Sequence, residues 1–310
     1  MRIIFMGTPL FAVPSLKILL ENNHNISCVV TVPDRKKGRG QSLTHSEVKE
    51  FALNNGLKIL QPEKLNDKEF QDEINSMSPD LIIVVAFRIL PKEIFTIPKL
   101  GSFNLHASLL PKYRGAAPIN HALINGEKET GVTSFFLREK VDTGNIILQK
   151  KIQIEDTDDA GSLHDKLSKL GAQTVLETVE LIKNGDVKTF KQDDTLASPA
   201  PKIFKEDCII NWDKNVEEIY NFIRGHSPYP AAITYLQNKI VKIFKTKITE
   251  IPSNNTPGNL IITGKQLFAN TRDMLLEIIE LQVEGKKRIT SMDFINSSDR
   301  GKNYIFKNAD

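Results

Sequence analysis

The fold of this chain is decided by one stretch of alternating character, Ser102-Phe103-Asn104-Leu105-His106-Ala107-Ser108-Leu109-Leu110-Pro111. Alternate side chains of a strand share a face, so Phe103 and Leu105 lie on an apolar face and Asn104 and His106 on a polar one. A strand inside a parallel sheet is expected to be apolar on both faces. Asn and His on the polar face of such a strand therefore predict an active site.

The residues before this stretch alternate between strand and helix patterns. The predicted strands are 2–6, 26–32, 57–60, 81–86 and 102–106, and the predicted helices are 10–21, 46–54 and 67–77. Such alternation predicts an α/β fold, with a largely parallel, doubly wound sheet and helices on both faces. Ligands of these folds bind at the carboxyl ends of the strands. Asn104 and His106 are placed at such an end.

The remainder of the chain predicts a second, β-rich region. A helix at 118–125, strands at 131–137 and 146–154 and a helix at 161–183 complete the first part. Residues 192–201 have the composition of a linker. Beyond a helix at 216–224, short alternating segments predict a small β-rich barrel. The predicted limits are 1–189 for the first domain, 190–205 for a linker and 206–310 for the second.

Composition limits the possible classes of protein. The chain has 310 residues, a formal net charge of +3 and only two cysteines. This charge alone does not predict nucleic-acid binding. No apolar run is typical of a signal peptide or approaches the length of a membrane span, which predicts a cytoplasmic protein. The isolated Cys28 and Cys208 suit a reducing compartment and are expected to be buried.

Several familiar catalytic motifs are absent from the sequence. There is no Gly-x-Gly-x-x-Gly, P-loop or Gly-x-Ser-x-Gly segment. Asp142-Thr143-Gly144 occurs once, whereas aspartic proteases need two carboxylates at one site. The six histidines have no metal-ligand spacing, so we predict no metal.

Three polar residues remain: Asn104, His106 and Asp142. Taken singly, each has a structural interpretation, because a buried His is usually satisfied by a neighbour and Asp-Thr-Gly favours a turn. Taken together, they suit acyl transfer. Asn104 and a protonated His106 can stabilise an oxyanion, and Asp142 can hold His106 charged or receive a proton through water.

A close resemblance to a known family is carried by three ordered segments: Asn104-Leu105-His106-Ala107-Ser108-Leu109-Leu110-Pro111-Lys112-Tyr113-Arg114-Gly115-Ala116-Ala117-Pro118-Ile119, Gly131-Val132-Thr133 and Val141-Asp142-Thr143-Gly144. These resemble the formyltransferases that use 10-formyltetrahydrofolate. Further segments resemble the members of that family that act on methionyl-tRNA: Phe5-Met6-Gly7-Thr8-Pro9-x-Phe11-Ala12, Pro33-Asp34-Arg35-x-x-Gly38-Arg39-Gly40 and Ile223-Arg224-Gly225-x-x-Pro228-x-Pro230-Ala231-Ala232.

The resemblance covers nearly the whole chain. It implies a Rossmann-like catalytic domain, a linker and a smaller OB-like domain that helps to bind tRNA. It implies a catalytic set of Asn104, His106 and Asp142, with no metal. The implied reaction is formyl transfer from 10-formyltetrahydrofolate to the α-amino group of methionyl initiator tRNA, for translation initiation. The family also suggests a monomer.

The resemblance also implies the binding residues. The folate site is expected to be lined by Ser108, Leu109, Leu110, Pro111, Phe87, Arg88 and Ile89. The basic loop is expected to contact the acceptor stem of tRNA through Arg35, Lys36, Lys37 and Arg39, with Arg39 entering the groove.

One segment departs from the family pattern. Many relatives have Ala-Tyr-Gly-x-Ile-Leu-Pro after the central strand, whereas residues 86–91 of this chain are one residue shorter and lack the Gly. Two roles for Arg88 stay open: it contacts the acidic tail of folate, or it is paired at the surface.

Three other functions fit the sequence less well. A sugar-nucleotide N-formyltransferase shares the three catalytic residue types, but the basic loop suits a polyanion better than a small sugar nucleotide. A ribonucleotide formyltransferase of purine synthesis has no need of residues 201–310. A catalytically inactive tRNA-binding relative is disfavoured because all three catalytic positions hold the expected residue types.

Overall fold

The computed structural model describes residues 1–37, 42–298 and 304–307, with only the backbone for residues 36, 37, 42 and 43. These residues form two compact units. The first unit contains Met1–Gly115, Glu129–Ile152 and His164–Ala200, and the second contains Ala116–Lys128, Gln153–Leu163 and the described part of Pro201–Asp310.

The described part of the chain has both strands and helices. In chain order the strands are β1 (Arg2–Gly7), β2 (Asn25–Val30), β3 (Arg35–Lys37), β4 (Ser42–Thr44), β5 (Ile59–Leu60), β6 (Leu81–Val85), β7 (Ser102–His106), β8 (Arg114–Gly115), β9 (Glu129–Phe136), β10 (Ile146–Gln153), β11 (Pro199–Ala200), β12 (Ala232–Leu236), β13 (Lys239–Pro252), β14 (Leu260–Thr263), β15 (Gln266–Asn270), β16 (Met274–Val283) and β17 (Ile289–Thr290). The α-helices are α1 (Val13–Glu21), α2 (Glu47–Asn54), α3 (Lys68–Ser76), α4 (Lys92–Phe95), α5 (Pro118–Ile124), α6 (Ala160–Asn184), α7 (Val216–His226) and α8 (Ser291–Ser297).

The first unit is built on a seven-stranded sheet in the order β10-β9-β7-β6-β1-β2-β5. Strands β7, β6, β1, β2 and β5 are parallel to one another. Strand β9 is antiparallel to β7. Every residue of β6 is buried, and so are Ile3, Ile4, Phe5 and Met6 of β1. Central parallel strands lose solvent on both faces, which explains their continuous apolar sequences. The predicted largely parallel sheet is confirmed.

Strand β7 is covered on its apolar face by helix α6. A Cβ atom on Gly171 would lie 2.6 Å from Leu105 Cδ2, so the absence of a side chain lets the helix approach. The polar face is also largely shielded from solvent, because Ser102, His106 and Ser108 are buried. On the polar face of this stretch, Asn104 is therefore the one residue that stays half-buried.

The second unit has an antiparallel sheet in the order β12-β13-β16-β15-β14, with β17 paired to β16. Its core contains Trp212, which stacks on Phe306 with 5.3 Å between ring centroids. The Trp212 indole N–H donates to Thr234 Oγ1 at 3.0 Å, which satisfies the polar atom of a buried ring. The predicted fold class is confirmed: a mixed α/β region and a separate β-rich one. The predicted domain limits stay a prediction.

Two further expectations concern helices and thiols. Of the helices in residues 1–37, 42–298 and 304–307, none combines the length and apolar character needed to traverse a lipid bilayer. Cys28 and Cys208 are free and buried, as expected. Burial raises the pKa of the Cys28 thiol to about 12.

Candidate active site

Asn104 lies near the carboxyl end of β7, and β7 has a neighbouring strand on each side in the sheet. It is paired with Val84 of β6 and Phe135 of β9 in the sheet register. Its side chain is half-buried and makes no hydrogen bond to any described residue. A primary amide has two N–H donors, so Asn104 keeps its donors available to a ligand.

His106 ends the same strand and is 6% exposed. Its Nε2 lies 2.8 Å from the carbonyl oxygen of Tyr113. A carbonyl only accepts, so this contact assigns the hydrogen to Nε2 and leaves Nδ1 as the nitrogen that can exchange a proton. His106 Nδ1 lies 3.9 Å from Asp142 Oδ2. That separation is within ion-pair range and beyond hydrogen-bond length.

Asp142 lies in the loop between β9 and β10. Its φ of +54° is in the left-handed region, which Asp tolerates better than most residues. Oδ2 accepts a hydrogen bond from the Gly115 N–H at 2.9 Å. The structure therefore brings together His106 and Asp142, which are far apart in sequence, and places Asn104 on the same strand face as His106.

Gly144 explains the third position of the Asp-Thr-Gly segment. A Cβ atom at this residue would lie 1.6 Å from the carbonyl oxygen of Phe136, so a side chain does not fit. The loop therefore lies directly against the end of β9. This close approach fixes the loop that carries Asp142.

The predicted folate residues 108–111 differ in what their side chains contact. Ser108 Oγ donates to the Lys112 carbonyl at 2.6 Å, and the side chain is fully buried. Leu110 is buried against Phe135 and Ile146. These two side chains face protein.

Leu109 and Pro111 are half-buried and keep part of their surface accessible. A Cβ atom on Gly131 would lie 2.6 Å from Leu109 Cδ2, so the glycine makes room for this side chain. Within residues 108–111, these two side chains are the ones with surface left for a ligand.

Arg88 makes specific contacts with backbone. Its Nη1 and Nη2 donate to the carbonyls of Glu63 and Pro62 at 2.9 and 2.8 Å, and its guanidinium lies over the Phe87 ring. Its buried Nε has no acceptor among the described residues. The terminal nitrogens are thus engaged, while one donor stays unused. The neighbouring Ile89 is 74% exposed.

Three of the predicted tRNA residues, Arg35, Lys36 and Lys37, form the first strand of a short hairpin. β3 and β4 pair in an antiparallel manner, and Arg35 is exposed. The backbones of Lys36 and Lys37 are in β3, and Arg39 lies outside the described residues.

The base of this hairpin is held by Asp34. Lys49 Nζ donates to Asp34 Oδ2, and Gln61 Nε2 donates to Oδ1 at 2.9 Å. His45 Nδ1 lies 3.0 Å from Oδ1. Donation from Lys49 and Gln61 holds the pKa of the Asp34 carboxyl well below its usual range. These contacts connect Asp34, directly before β3, with the residue that follows β4, with α2 and with the residue that follows β5.

Sequence reasoning missed three groups at the site. The carbonyl of Tyr113 and the N–H of Gly115 are backbone atoms, so no residue type marks their role. Gln192 donates to the loop of Asp142 from the stretch that was predicted to be a linker. Its polar, Pro-rich surroundings are typical of a connection and gave no signal of this contact.

Two features outside this site concern metals and cavities. Within the residues that the structure describes, no group of three or more His, Cys, Asp or Glu side chains is placed to hold a metal ion. A cavity of about 610 Å³ lies in the second unit, between residues that include Phe204, Tyr229 and Lys242. It contains none of the predicted site residues.

The fold and the site together define a class of protein. It is an α/β enzyme in which the end of a sheet strand and an adjacent loop present an amide, an imidazole and a carboxylate. The family model described as formyl transferase matches residues 1–179, and the model for the formyl transferase C-terminal domain matches residues 202–299. The chain therefore belongs to the formyl transferase family.

Known relatives match almost the full length. The chain is 47% identical over 307 residues to a methionyl-tRNA formyltransferase of Bacteroides fragilis, covering 95% of this chain and 94% of the relative. It is 46% identical over 312 residues to that of Flavobacterium johnsoniae, covering 98% and 99%. Among solved structures, the sugar 3N-formyl transferase WlaRD, determined with dTDP and 5-N-formyl-THF, is 26% identical with a TM-score of 0.69, covering 93% and 99%.

Proposed function

We propose that this chain transfers a formyl group from 10-formyltetrahydrofolate to the α-amino group of methionyl initiator tRNA, for translation initiation. The observation that carries this proposal is 47% identity, over nearly the whole chain, to a methionyl-tRNA formyltransferase. The family uses formyl-tetrahydrofolate as its co-substrate. A charged tRNA substrate also supports location in the cytoplasm.

The proposed chemistry assigns a role to each site residue. When bound, the folate supplies the formyl carbon and departs with a proton in place of the formyl group. Asn104 donates to the formyl oxygen as it becomes an oxyanion during attack by the amine. His106 donates from Nε2 to the Tyr113 carbonyl, and when it is protonated its Nδ1–H helps to stabilise the oxyanion. Asp142 stabilises the imidazolium and assists removal of the proton from the attacking amine.

Folate binding is proposed for residues 87–89 and 108–111. The accessible parts of Leu109 and Pro111 fit the apolar rings of a ligand. The Arg88 terminal nitrogens already bind the backbone, so we propose that Arg88 shapes the wall instead of pairing with the acidic tail. No metal has a role in this scheme.

Binding of tRNA is proposed for the basic segment that starts at Arg35 and includes Lys36, Lys37 and Arg39. Four cations within five residues suit the regular phosphates of a nucleic acid. The segment follows Asp34, which is anchored by Lys49. We further propose a monomer with a catalytic domain at 1–189, a linker at 190–205 and an OB-like tRNA-binding domain at 206–310.

Because the chain is similar to WlaRD, a sugar-nucleotide N-formyltransferase is the alternative that the test must exclude. The test is formyl transfer from 10-formyltetrahydrofolate to charged initiator tRNA, compared with transfer to an aminosugar nucleotide. We expect product with the tRNA and at most trace product with the sugar. Product with the sugar alone would overturn the substrate assignment, and binding of tRNA without any transfer would favour an inactive relative.

A further inference from the structure

Gln192 connects the two loops that hold His106 and Asp142. It is buried, at 6% exposed. Its Nε2 donates to the carbonyl oxygens of Asp142 at 2.9 Å and Gly144 at 2.8 Å. Its Oε1 accepts from Arg114 Nε at 3.1 Å and Nη2 at 2.7 Å. Both N–H donors and both acceptor positions of the amide are thus used.

The partners of Gln192 fix the orientation of its amide. The Asp142 and Gly144 carbonyls only accept hydrogen bonds, and the Arg114 guanidinium only donates. An amide with its nitrogen and oxygen exchanged would face acceptors with an acceptor and donors with donors. Glu at this position would place a carboxylate oxygen against two carbonyls, so the site selects an amide.

Arg114 lies between the two backbone groups that contact the candidate catalytic pair. The carbonyl of Tyr113, one residue before, accepts from His106 Nε2. The N–H of Gly115, one residue after, donates to Asp142 Oδ2. The 113–115 segment therefore determines where both His106 and Asp142 lie.

The Asp142 loop needs support from elsewhere because its backbone is unfavourable. A non-glycine residue at a φ of +54° persists only where its surroundings hold it. Gln192 provides two of these contacts and couples them to the 113–115 segment through Arg114. Nearby, Ser198 Oγ accepts from the Tyr113 N–H at 2.9 Å, and β11 pairs with β8.

From these contacts we infer that Gln192 is a positioning residue for the His106–Asp142 pair. The inference rests on the proposed function, because it assumes that this pair performs formyl transfer. Gln192 touches neither reacting group. It acts by setting the 3.9 Å separation between Nδ1 and Oδ2.

The first test uses Gln192→Met, which keeps the volume and removes the amide. We expect kcat for formyl transfer to fall about 10-fold to 100-fold, as is typical when a supporting residue is lost, with KM for both substrates changed less than about threefold. We expect the kcat of the Gln192→Glu variant to fall by at least the same factor. Asp194→Asn is the matched control, because it removes the charge from the other, exposed partner of Arg114, and we expect parental kcat.

A double-mutant cycle separates positioning from a general structural defect. If Gln192 acts through Asp142, then Gln192→Met has little further effect on kcat in an Asp142→Asn background. Effects that multiply would contradict the inference. Parental kcat in Gln192→Met would contradict it as well.

A crystal structure of Gln192→Met tests the geometry without relying on activity. We expect the separation of His106 Nδ1 and Asp142 Oδ2 to change by about 0.5 Å or more, since catalytic groups need placement within about that tolerance. An unchanged separation would overturn the inference. If the parent chain does not formylate tRNA, the proposed function fails, while this measurement still decides whether Gln192 positions the pair.

Discussion

Asp34 and Asp142 both lie in loops of the first unit, yet their carboxylates are used in opposite ways. Asp34 is surrounded by Lys49, Gln61 and His45, all within 3.0 Å of its oxygens. Among the residues that the structure describes, the Asp142 carboxylate accepts one N–H, from Gly115, and it faces His106 Nδ1 at 3.9 Å. A saturated carboxylate can hold backbone in place, whereas one with unused lone pairs can still exchange a proton or pair with a cation that forms during a reaction.

The comparison also explains why Asp142 depends on other residues. Asp34 is held by its own side chain, through strong charge-assisted contacts. The Asp142 carboxylate accepts the Gly115 N–H and faces His106, and further support for its loop comes through the backbone. Gln192 and Gly144 serve that purpose, one by hydrogen bonds and the other by allowing close approach.

The largest expected effect is that of Asp142→Asn. The Asn oxygen can still accept from the Gly115 N–H, and Asn tolerates a positive φ, so we expect the fold to persist. We expect kcat to fall about 10²-fold to 10⁴-fold, the range of general acid–base catalysis. The measurement is formyl transfer at saturating concentrations of both substrates, with thermal unfolding followed in parallel. A kcat within threefold of the parent would remove Asp142 from the mechanism.

A smaller effect is expected from Asp34→Asn. Loss of the charge weakens the contacts with Lys49 and His45 at the base of the hairpin whose first strand begins at Arg35. We expect KM for tRNA to rise about twofold to fivefold, because the change removes the charge and keeps an oxygen that can still accept hydrogen bonds, with kcat and KM for folate unchanged. Steady-state kinetics at varied tRNA concentration measures this. A fall in kcat with no change in KM for tRNA would contradict the distinction between the two aspartates.

The smallest effect is the pH dependence of the stabilisation from Asp34. The pKa of Asp34 is lowered in the folded state by donation from Lys49 and Gln61. The unfolded chain therefore binds the proton more readily, and the stabilisation is complete above the unfolded pKa of about 3.9 and is lost as pH falls below it. Urea unfolding of the parent and Asp34→Asn at several pH values measures the difference. We expect the difference to shrink from about pH 5 toward about pH 3, and a difference that grows over this range would contradict this assignment.

Much of the first unit follows from local sequence patterns. The strand predicted to end at His106 ends there, and the helix predicted at 161–183 is observed as Ala160–Asn184. The predicted buried strand 81–86 is observed as Leu81–Val85. Apolar periodicity reports burial directly, so long, regular elements are accessible to sequence reasoning.

The contacts that hold the site in place were harder to predict from the sequence. Strand β3 lies within the predicted basic loop and pairs with β4, a hairpin that the short polar segments did not indicate. Within the predicted linker, Gln192 contacts a loop 50 residues away in sequence. A polar residue in an irregular stretch has no period to reveal its partner, and its hydrogen bonds depend on where distant backbone atoms lie.

The sequence by itself determined the alternation of strands and helices, the change to a β-rich pattern, and the residue types that carry the proposed chemistry. Those properties are set by hydrophobic spacing and by functional groups, both of which are local. The tertiary structure alone decided which nitrogen of His106 faces Asp142, why Gly144 has no room for a side chain, and what holds Asp142 in place. Each of these depends on the direction of hydrogen bonds and on close packing between segments that only folding brings together.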